Sequence, residues 1–111
     1  MEAMSAVSAL SALAQEHRLS AFRLLVQAGS AGMAAGAIAD ALDIPSSSLS
    51  FHLAHLTRAG LIRQRRQSRS LIYSADYAEM SALVGYLMEN CCGGVECETD
   101  AASPPAEHLA A

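Results

Sequence analysis

The sequence contains no lysine, no long apolar run and only three cysteines among its 111 residues. No stretch approaches the eighteen or so consecutive apolar residues that a membrane-spanning helix needs. The opening Met1-Glu2-Ala3-Met4 lacks the basic segment that begins a signal peptide. Three cysteines are too few for a disulfide-stabilised secreted domain, and their odd number fits a reducing compartment. We therefore expect a cytoplasmic protein with no membrane partner.

The composition is that of a folded protein of about one domain. Hydrophobic residues make up 52% and charged residues 16% of the chain, which excludes a disordered polypeptide. Beyond residue 99 the sequence is rich in alanine and serine and includes a Pro-Pro pair, which favours a frayed tail. We expect a folded domain over residues 1–92 and a flexible tail over residues 93–111.

The charges are unevenly distributed along the chain. Residues 1–90 hold seven acids and seven arginines, so the net charge of −4 comes entirely from the tail. Between His52 and Ser74 there are five arginines and no acid. Such a strip is either a solvated face or a surface that contacts phosphates. The five are Arg58, Arg63, Arg65, Arg66 and Arg69.

The spacing of apolar residues predicts a mainly helical fold with one hairpin. Spacings of three and four predict helices over residues 3–14, 16–28, about 34–42 and about 47–59. Pro45 separates the last two, and Ser46 is suited to cap the next helix. Residues 61–66 and 69–74 then predict two strands around Gln67-Ser68. Asp76, with Glu79 three residues later, begins a fifth helix as a capping box.

Two short helices joined by a tight turn and followed by a basic hairpin predict a winged helix-turn-helix, with five helices and a two-stranded wing. The helix over 47–59 would lie in a DNA major groove, and the hairpin arginines would contact phosphates. Phe51 would face outward to a thymine methyl, or else pack against the wing. His52 lies at the edge of the leucine stripe, where a structural role is favoured. The candidate DNA contacts are Ser47, Ser48, Ser50, Phe51, His52, Arg58, Arg65, Arg66 and Arg69.

Three motifs together resemble the ArsR/SmtB-type repressors over about residues 8–90. Residues 12–19 (ALAQEHRL) are similar to the family pattern ALAxxxRL, and residues 48–62 are similar to SxSxHLxxLxxAGLI. The arginine-rich hairpin through Tyr73 matches the wing, although Gln67-Ser68 stands where relatives often carry glycine. The resemblance implies a homodimeric repressor on double-stranded operator DNA, released by a metal or metalloid, with the first and last helices pairing the protomers.

The apolar pattern itself also favours a homodimer. Val7, Leu10 and Leu13 form one stripe, and a second stripe runs from Met80 to Met88. Together they are more apolar surface than a small winged helix covers by itself. A twofold pairing would bury both stripes and fit a palindromic operator.

The three cysteines, Cys91, Cys92 and Cys97, lie within seven residues and are the candidate sensor. The arsenic-type CVCDLC motif is absent from residues 34–40, and residues 76–90 lack the histidines of the zinc-type site. Three soft sulfurs suit As(III) or Sb(III) as inducer, with no constitutive cofactor. "ENCC" after the final helix resembles the arsenite-responsive branch. A thiol redox sensor and a repressor responsive to divalent cadmium, lead or zinc stay open as alternatives. An enzyme is not expected, because His17, His52 and His55 lie far in sequence from the cysteines.

Overall fold

The computed structural model describes residues 1–94, and five α-helices form most of that part of the chain. They are α1 (Ala3–Leu13), α2 (Glu16–Ala28), α3 (Ala35–Leu42), α4 (Ser46–Arg58) and α5 (Tyr77–Leu87). The helices that the apolar spacing predicts are therefore confirmed. Within residues 1–94, no helix is long and apolar enough to cross a membrane.

The sheet has three antiparallel strands where the sequence predicts two. They are β1 (Met33–Ala34), β2 (Ile62–Gln67) and β3 (Ser70–Ala75), in the order β1-β3-β2. The hairpin of β2 and β3 is confirmed, but the expected strand count is wrong. The added strand β1 pairs Met33 with Tyr73 and Ala34 with Ile72. Two residues are too few to show the alternation from which strands are predicted.

The hairpin turn lies one residue later than predicted, at Ser68 and Arg69. Ser68 has a φ of +58°, a left-handed conformation in which glycine is more common. At the other end of the hairpin, Ile62 pairs with Ala75, and both are buried. Because a shift of one residue would expose both side chains, burial at the base of the wing fixes the register.

The core lies between the helices and the base of the wing. Its largest fully buried side chains are Leu25, Ile38, Leu49, Leu53, Leu56 and Leu61. Helix α1 packs against it through Ala6, Ala9 and Ala12, whose small side chains are almost completely buried. The larger side chains Val7 and Leu10 therefore face outward.

The helix caps match the sequence in one place and differ in another. Asp76 Oδ1 accepts a hydrogen bond of 3.0 Å from the Glu79 amide, so the predicted cap of α5 is confirmed. Together with the Arg63 guanidinium, that amide lowers the pKa of the Asp76 carboxyl below its usual value. For α4, the expectation that Ser46 is the cap is wrong, since the extended Pro45 precedes the helix and Ser46 is its first residue.

Candidate nucleic-acid interface

Helix α4 presents a polar face to solvent because its leucines are all turned inward. Leu49, Leu53 and Leu56 are almost fully buried and lie on one side of the helix. The side chains on the other positions are therefore left outside the core. Those that are exposed include the predicted DNA contacts Ser47, Ser48, Ser50, Phe51 and Arg58.

Phe51 stands out from this face. It is 63% exposed. Its ring meets the edges of the His52 and His55 rings, at centroid distances of 5.8 and 6.5 Å. These neighbours belong to the same helix, so they do not remove Phe51 from solvent. Of the two arrangements that the sequence allows, the structure has the outward one.

His52 is half-buried and turned toward α2. Its Nδ1 lies 3.4 Å from Arg18 Nη1, and its ring centroid lies 5.7 Å from that of His17. Arg18 also donates a 2.7 Å hydrogen bond from Nε to the carbonyl of Ala12, at the end of α1. Partial burial and the Arg18 charge lower the pKa of His52 below its usual value. His52 is thus part of the contact between α2 and α4, apart from the exposed face.

His55 lies one turn further along α4 and is not among the predicted DNA contacts. Its Nδ1 is buried, and no hydrogen-bond partner for it is found among the described residues. Desolvation and the charges of Arg18 and Arg58 lower its pKa. Sequence reasoning missed Arg18 as the residue linking α1, α2 and α4. The ALAxxxRL pattern, which includes this arginine, was the signal for it.

Two adjoining grooves separate α4 from the wing. One, of about 260 Å³, is lined by Ser50, Ala54, Thr57, Arg58, Gln64 and Tyr73. The other, of about 420 Å³, includes Ser50, Arg66 and Arg69 together with the start of α3. The structure therefore brings four predicted contacts, Ser50, Arg58, Arg66 and Arg69, to connected surfaces.

Arg65 is held on a different part of the wing. Its guanidinium donates to the carbonyls of Ala31 at 3.0 Å and Ser30 at 3.5 Å, and to Gln67 Oε1 at 3.3 Å. Arg63 pairs with Asp76 at 3.0 Å. Since successive residues of a strand point to opposite faces, Arg66 lies on the other side of β2 from both. The arginines of β2 thus lie on two faces, with Arg63 and Arg65 bound to other parts of the chain on one face and Arg66 on the face next to α4.

Cys91 and Cys92 lie in a short 3-10 turn, Cys91–Gly94, that follows α5. Both are exposed, and their Sγ atoms are 3.7 Å apart. The final helix ends at Leu87, before the cysteines, and Asn90 and Cys92 have positive φ. Cys97 lies outside the described residues. Among residues 1–94, no three histidine, cysteine or acidic side chains are grouped to hold a metal ion.

Helices α1 and α5 contact each other, and exposed apolar side chains lie on α1 and at the C-terminal end of α5. Leu83 anchors α5 in the core, whereas its neighbours on the helix point outward. We call the outward set the α1–α5 surface. It comprises Val7, Leu10, Val84, Leu87 and Met88, each between 42% and 58% exposed.

Comparison with known proteins supports the helix-turn-helix fold. A family model described as a helix-turn-helix domain matches residues 13–65. The transcriptional activator HlyU of Vibrio cholerae is 31% identical over 87 residues, 78% of each chain. A structure of HlyU superposes with a TM-score of 0.64 at 30% identity, covering 80% of this chain and 94% of that one.

Two further solved structures are similar. NolR from Sinorhizobium fredii has a TM-score of 0.62 at 32% identity, covering 79% of this chain and 85% of that one. A homodimeric winged helix-turn-helix DNA-binding domain from Mycobacterium bovis, described as a possible ArsR-family regulator, has a TM-score of 0.61 at 28% identity, covering 86% and 88%. The chain belongs to the ArsR/SmtB-type winged helix-turn-helix transcriptional regulators, which bind DNA and are not enzymes.

Proposed function

We propose that the chain is a cytoplasmic homodimeric repressor of a palindromic operator, released when As(III) or Sb(III) binds Cys91, Cys92 and Cys97. The observation that carries the proposal is the 3.7 Å separation of the Cys91 and Cys92 sulfurs. It places two soft ligands side by side, just after the helix that bears half of the α1–α5 surface.

The sulfur separation fits one shared soft centre. Two thiolates bound tetrahedrally to one zinc ion at about 2.3 Å lie about 3.8 Å apart. The 3.7 Å spacing therefore fits two ligands of one tetrahedral ion, and it is far longer than a disulfide bond. The smaller S–As–S angle of a trigonal-pyramidal As(III) site requires the two sulfurs to move slightly closer on binding. Cys97 follows Cys92 by five residues, with Gly93 and Gly94 between them. It supplies the third sulfur of a trigonal As(III) or Sb(III) complex.

The α1–α5 surface supports pairing of two copies. Five exposed apolar side chains on adjoining helices favour association in water. The Mycobacterium bovis relative is described as a homodimer of this fold. A twofold pairing places two copies of α4 about one turn of DNA apart, which requires a palindromic operator.

Release requires that the inducer bind the DNA-free dimer more tightly than the DNA-bound dimer, because equal affinity shifts no equilibrium. Helix α5 connects the inducer site with the surface at which the two copies would pair. Its end leads into the cysteine turn, and Val84 and Leu87 lie on the α1–α5 surface. Repacking of α5 on inducer binding would change the separation of the two α4 helices. Emptying most operators needs a coupling of several kcal/mol, on the order of 5.

The test is release of operator DNA by arsenite under full reduction. The operator is first obtained by selection from random DNA, and its binding is followed by fluorescence anisotropy. A phosphine reductant is used, because dithiols chelate arsenite. We expect arsenite to lower operator affinity by roughly three orders of magnitude or more, as a coupling of about 5 kcal/mol requires, while leaving the secondary structure unchanged. Unaltered affinity at arsenite concentrations that saturate the thiols would contradict the proposal.

A thiol redox sensor is the second candidate, and one comparison favours it. HlyU of Vibrio cholerae has also been solved in a form described as reduced. Cys91 and Cys92 are exposed neighbours, a position that suits reversible thiol–disulfide chemistry, with Cys97 as the resolving partner. Hydrogen peroxide would then release DNA, whereas arsenite under full reduction would not. Cadmium, lead and zinc, added separately, test the soft divalent metals in the same assay.

The direction of regulation is part of the proposal. HlyU is described as an activator, whereas an inducer-released protein that occupies a promoter represses it. Transcription in vitro from a template carrying the selected operator separates the two. We expect fewer transcripts with the protein, and recovery on addition of arsenite.

A further inference from the structure

We infer that α4 recognises thymine in the major groove through its C5 methyl group, with Phe51 as the contacting side chain. The inference rests on the proposed operator binding and names the base that the operator must present. Phe51 carries it because it is the most exposed large apolar side chain of α4, on the face opposite the buried leucines.

The geometry of Phe51 leaves its ring available to a base. The ring is 63% exposed, and its edge contacts with His52 and His55 come from its own helix. An aromatic ring left in water on the recognition helix is unfavourable, and burying it against a methyl group relieves that exposure. In the major groove, thymine alone among the four bases presents such a methyl.

The rest of the α4 face has little capacity for other base contacts. Between Ser46 and Arg58 the helix contains no asparagine, glutamine, lysine or acid, so the usual partners of adenine and cytosine are missing. Serine hydroxyls donate to or accept from any base and therefore discriminate weakly. Arg58, at the last turn, is the single arginine on the helix. Because an arginine reads guanine, apolar contact is the interaction by which this face discriminates thymine.

The charge of this face and the family to which the chain belongs favour DNA over another protein as its occupant. The sequence contains no acid between Asp43 and Asp76. Arg58, Arg66 and Arg69 are exposed beside the grooves that flank α4. They would neutralise phosphates on the two strands next to the groove that Phe51 enters.

The experiment replaces thymine by uracil, which removes only the C5 methyl. In the operator selected by the wild-type protein, each thymine is replaced in turn and the Kd is measured at fixed salt. We expect one position in each half-site to weaken wild-type binding about four-fold, the value for one buried methyl. Replacing both should weaken it about fifteen-fold. 5-Bromouracil at the same position, with a substituent of similar size, should restore binding.

The Phe51→Ala variant provides the double-mutant cycle, and Leu19→Ala on α2, which removes an exposed apolar side chain away from the α4 face and the wing, provides the matched control. We expect Phe51→Ala to be insensitive to uracil at that position, while Leu19→Ala keeps the wild-type response. Equal uracil effects in wild type and Phe51→Ala, or none in wild type, would overturn the inference and leave operator binding intact. A selection that enriches no DNA sequence would overturn both this inference and the proposed operator binding.

Discussion

Arg18 of α2 and His52 of α4 contact each other, with 3.4 Å between Nη1 and Nδ1. Arginine only donates hydrogen bonds, so His52 Nδ1 is the acceptor and carries no proton. The same guanidinium donates to the Ala12 carbonyl at the end of α1. Protonation of His52 would therefore place two positive charges together at the meeting point of three helices.

The first prediction is an acid-dependent loss of stability. Partial burial, Arg18, His17 and His55 all lower the pKa of folded His52 from its usual 6.5. The unfolded chain thus takes up this proton at a higher pH than the folded chain. The free energy of unfolding should be highest above pH 6.5 and decrease as the pH falls below it. Urea titrations at one protomer concentration, near neutral pH and about one and a half pH units lower, measure the decrease.

The His52→Gln variant isolates this residue, since its amide oxygen still accepts from Arg18 but does not protonate in this range. We expect a smaller decrease in unfolding free energy than in wild type. His55→Gln is the comparison, because the pKa of His55 is also lowered. An unchanged pH dependence in the His52 variant would show that the Arg18 contact does not hold His52 neutral.

The second prediction separates the wing arginines. Arg66→Ala should weaken binding to all DNA sequences alike and lower the salt slope by about one unit, the effect of losing one phosphate contact. Arg65→Ala should change the slope less, because Arg65 is engaged by the Ala31 and Ser30 carbonyls. Affinities over a series of salt concentrations give both slopes. A larger effect at Arg65 would mean that the wing turns its other face to DNA.

The sequence predicts what depends on local pattern and misses what depends on distant contacts. The leucines of α4 and the Asp76 cap follow from spacing along the chain, and both are found. Strand β1 exists because Tyr73 lies beside Met33, which no local pattern encodes. Two of the hydrogen bonds of Arg65, to the Ala31 and Ser30 carbonyls, have the same origin, since those partners are 34 and 35 residues away. The face of α1 that enters the core is alanine-rich, so the larger apolar side chains point outward.

The third prediction concerns Gly32, where β1 approaches β3. Gly32 and Gly29 share nearly the same backbone conformation, with φ of 70° and 79° and ψ of −168° and −166°. A Cβ at Gly32 would overlap the Tyr73 carbonyl oxygen, whereas one at Gly29 meets nothing within 4 Å. Gly29→Ala should lower the free energy of unfolding by about 1–3 kcal/mol because of backbone strain. Gly32→Ala should lose a further 1–3 kcal/mol, roughly, from the overlap. Urea denaturation gives both values, and equal losses would contradict the close approach.

The fourth prediction tests the α1–α5 surface. Val84→Glu places a charge where Val84 is 54% exposed in one chain, so the fold should persist. If two copies pair there, the buried charge should disfavour the dimer strongly. Sedimentation at micromolar concentration should show a monomer with an unchanged circular dichroism spectrum and weak operator binding. Leu71→Glu, on the wing, should stay dimeric. A Val84→Glu dimer would place the interface elsewhere.

The last prediction is the response of the three cysteine variants. Serine at Cys91, Cys92 or Cys97 should leave DNA affinity unchanged, because none of them lies on α4 or the wing. Each should lose arsenite release, since As(III) needs three sulfurs for a complete trigonal site. Cys97→Ser should still respond to methylarsenite, which needs only two sulfurs, because the Cys91 and Cys92 sulfurs are already 3.7 Å apart. Cys91→Ser and Cys92→Ser should respond to methylarsenite more weakly than Cys97→Ser, because neither keeps the adjacent pair of sulfurs. A full arsenite response in the Cys91→Ser, Cys92→Ser double variant would remove the sensor from this turn.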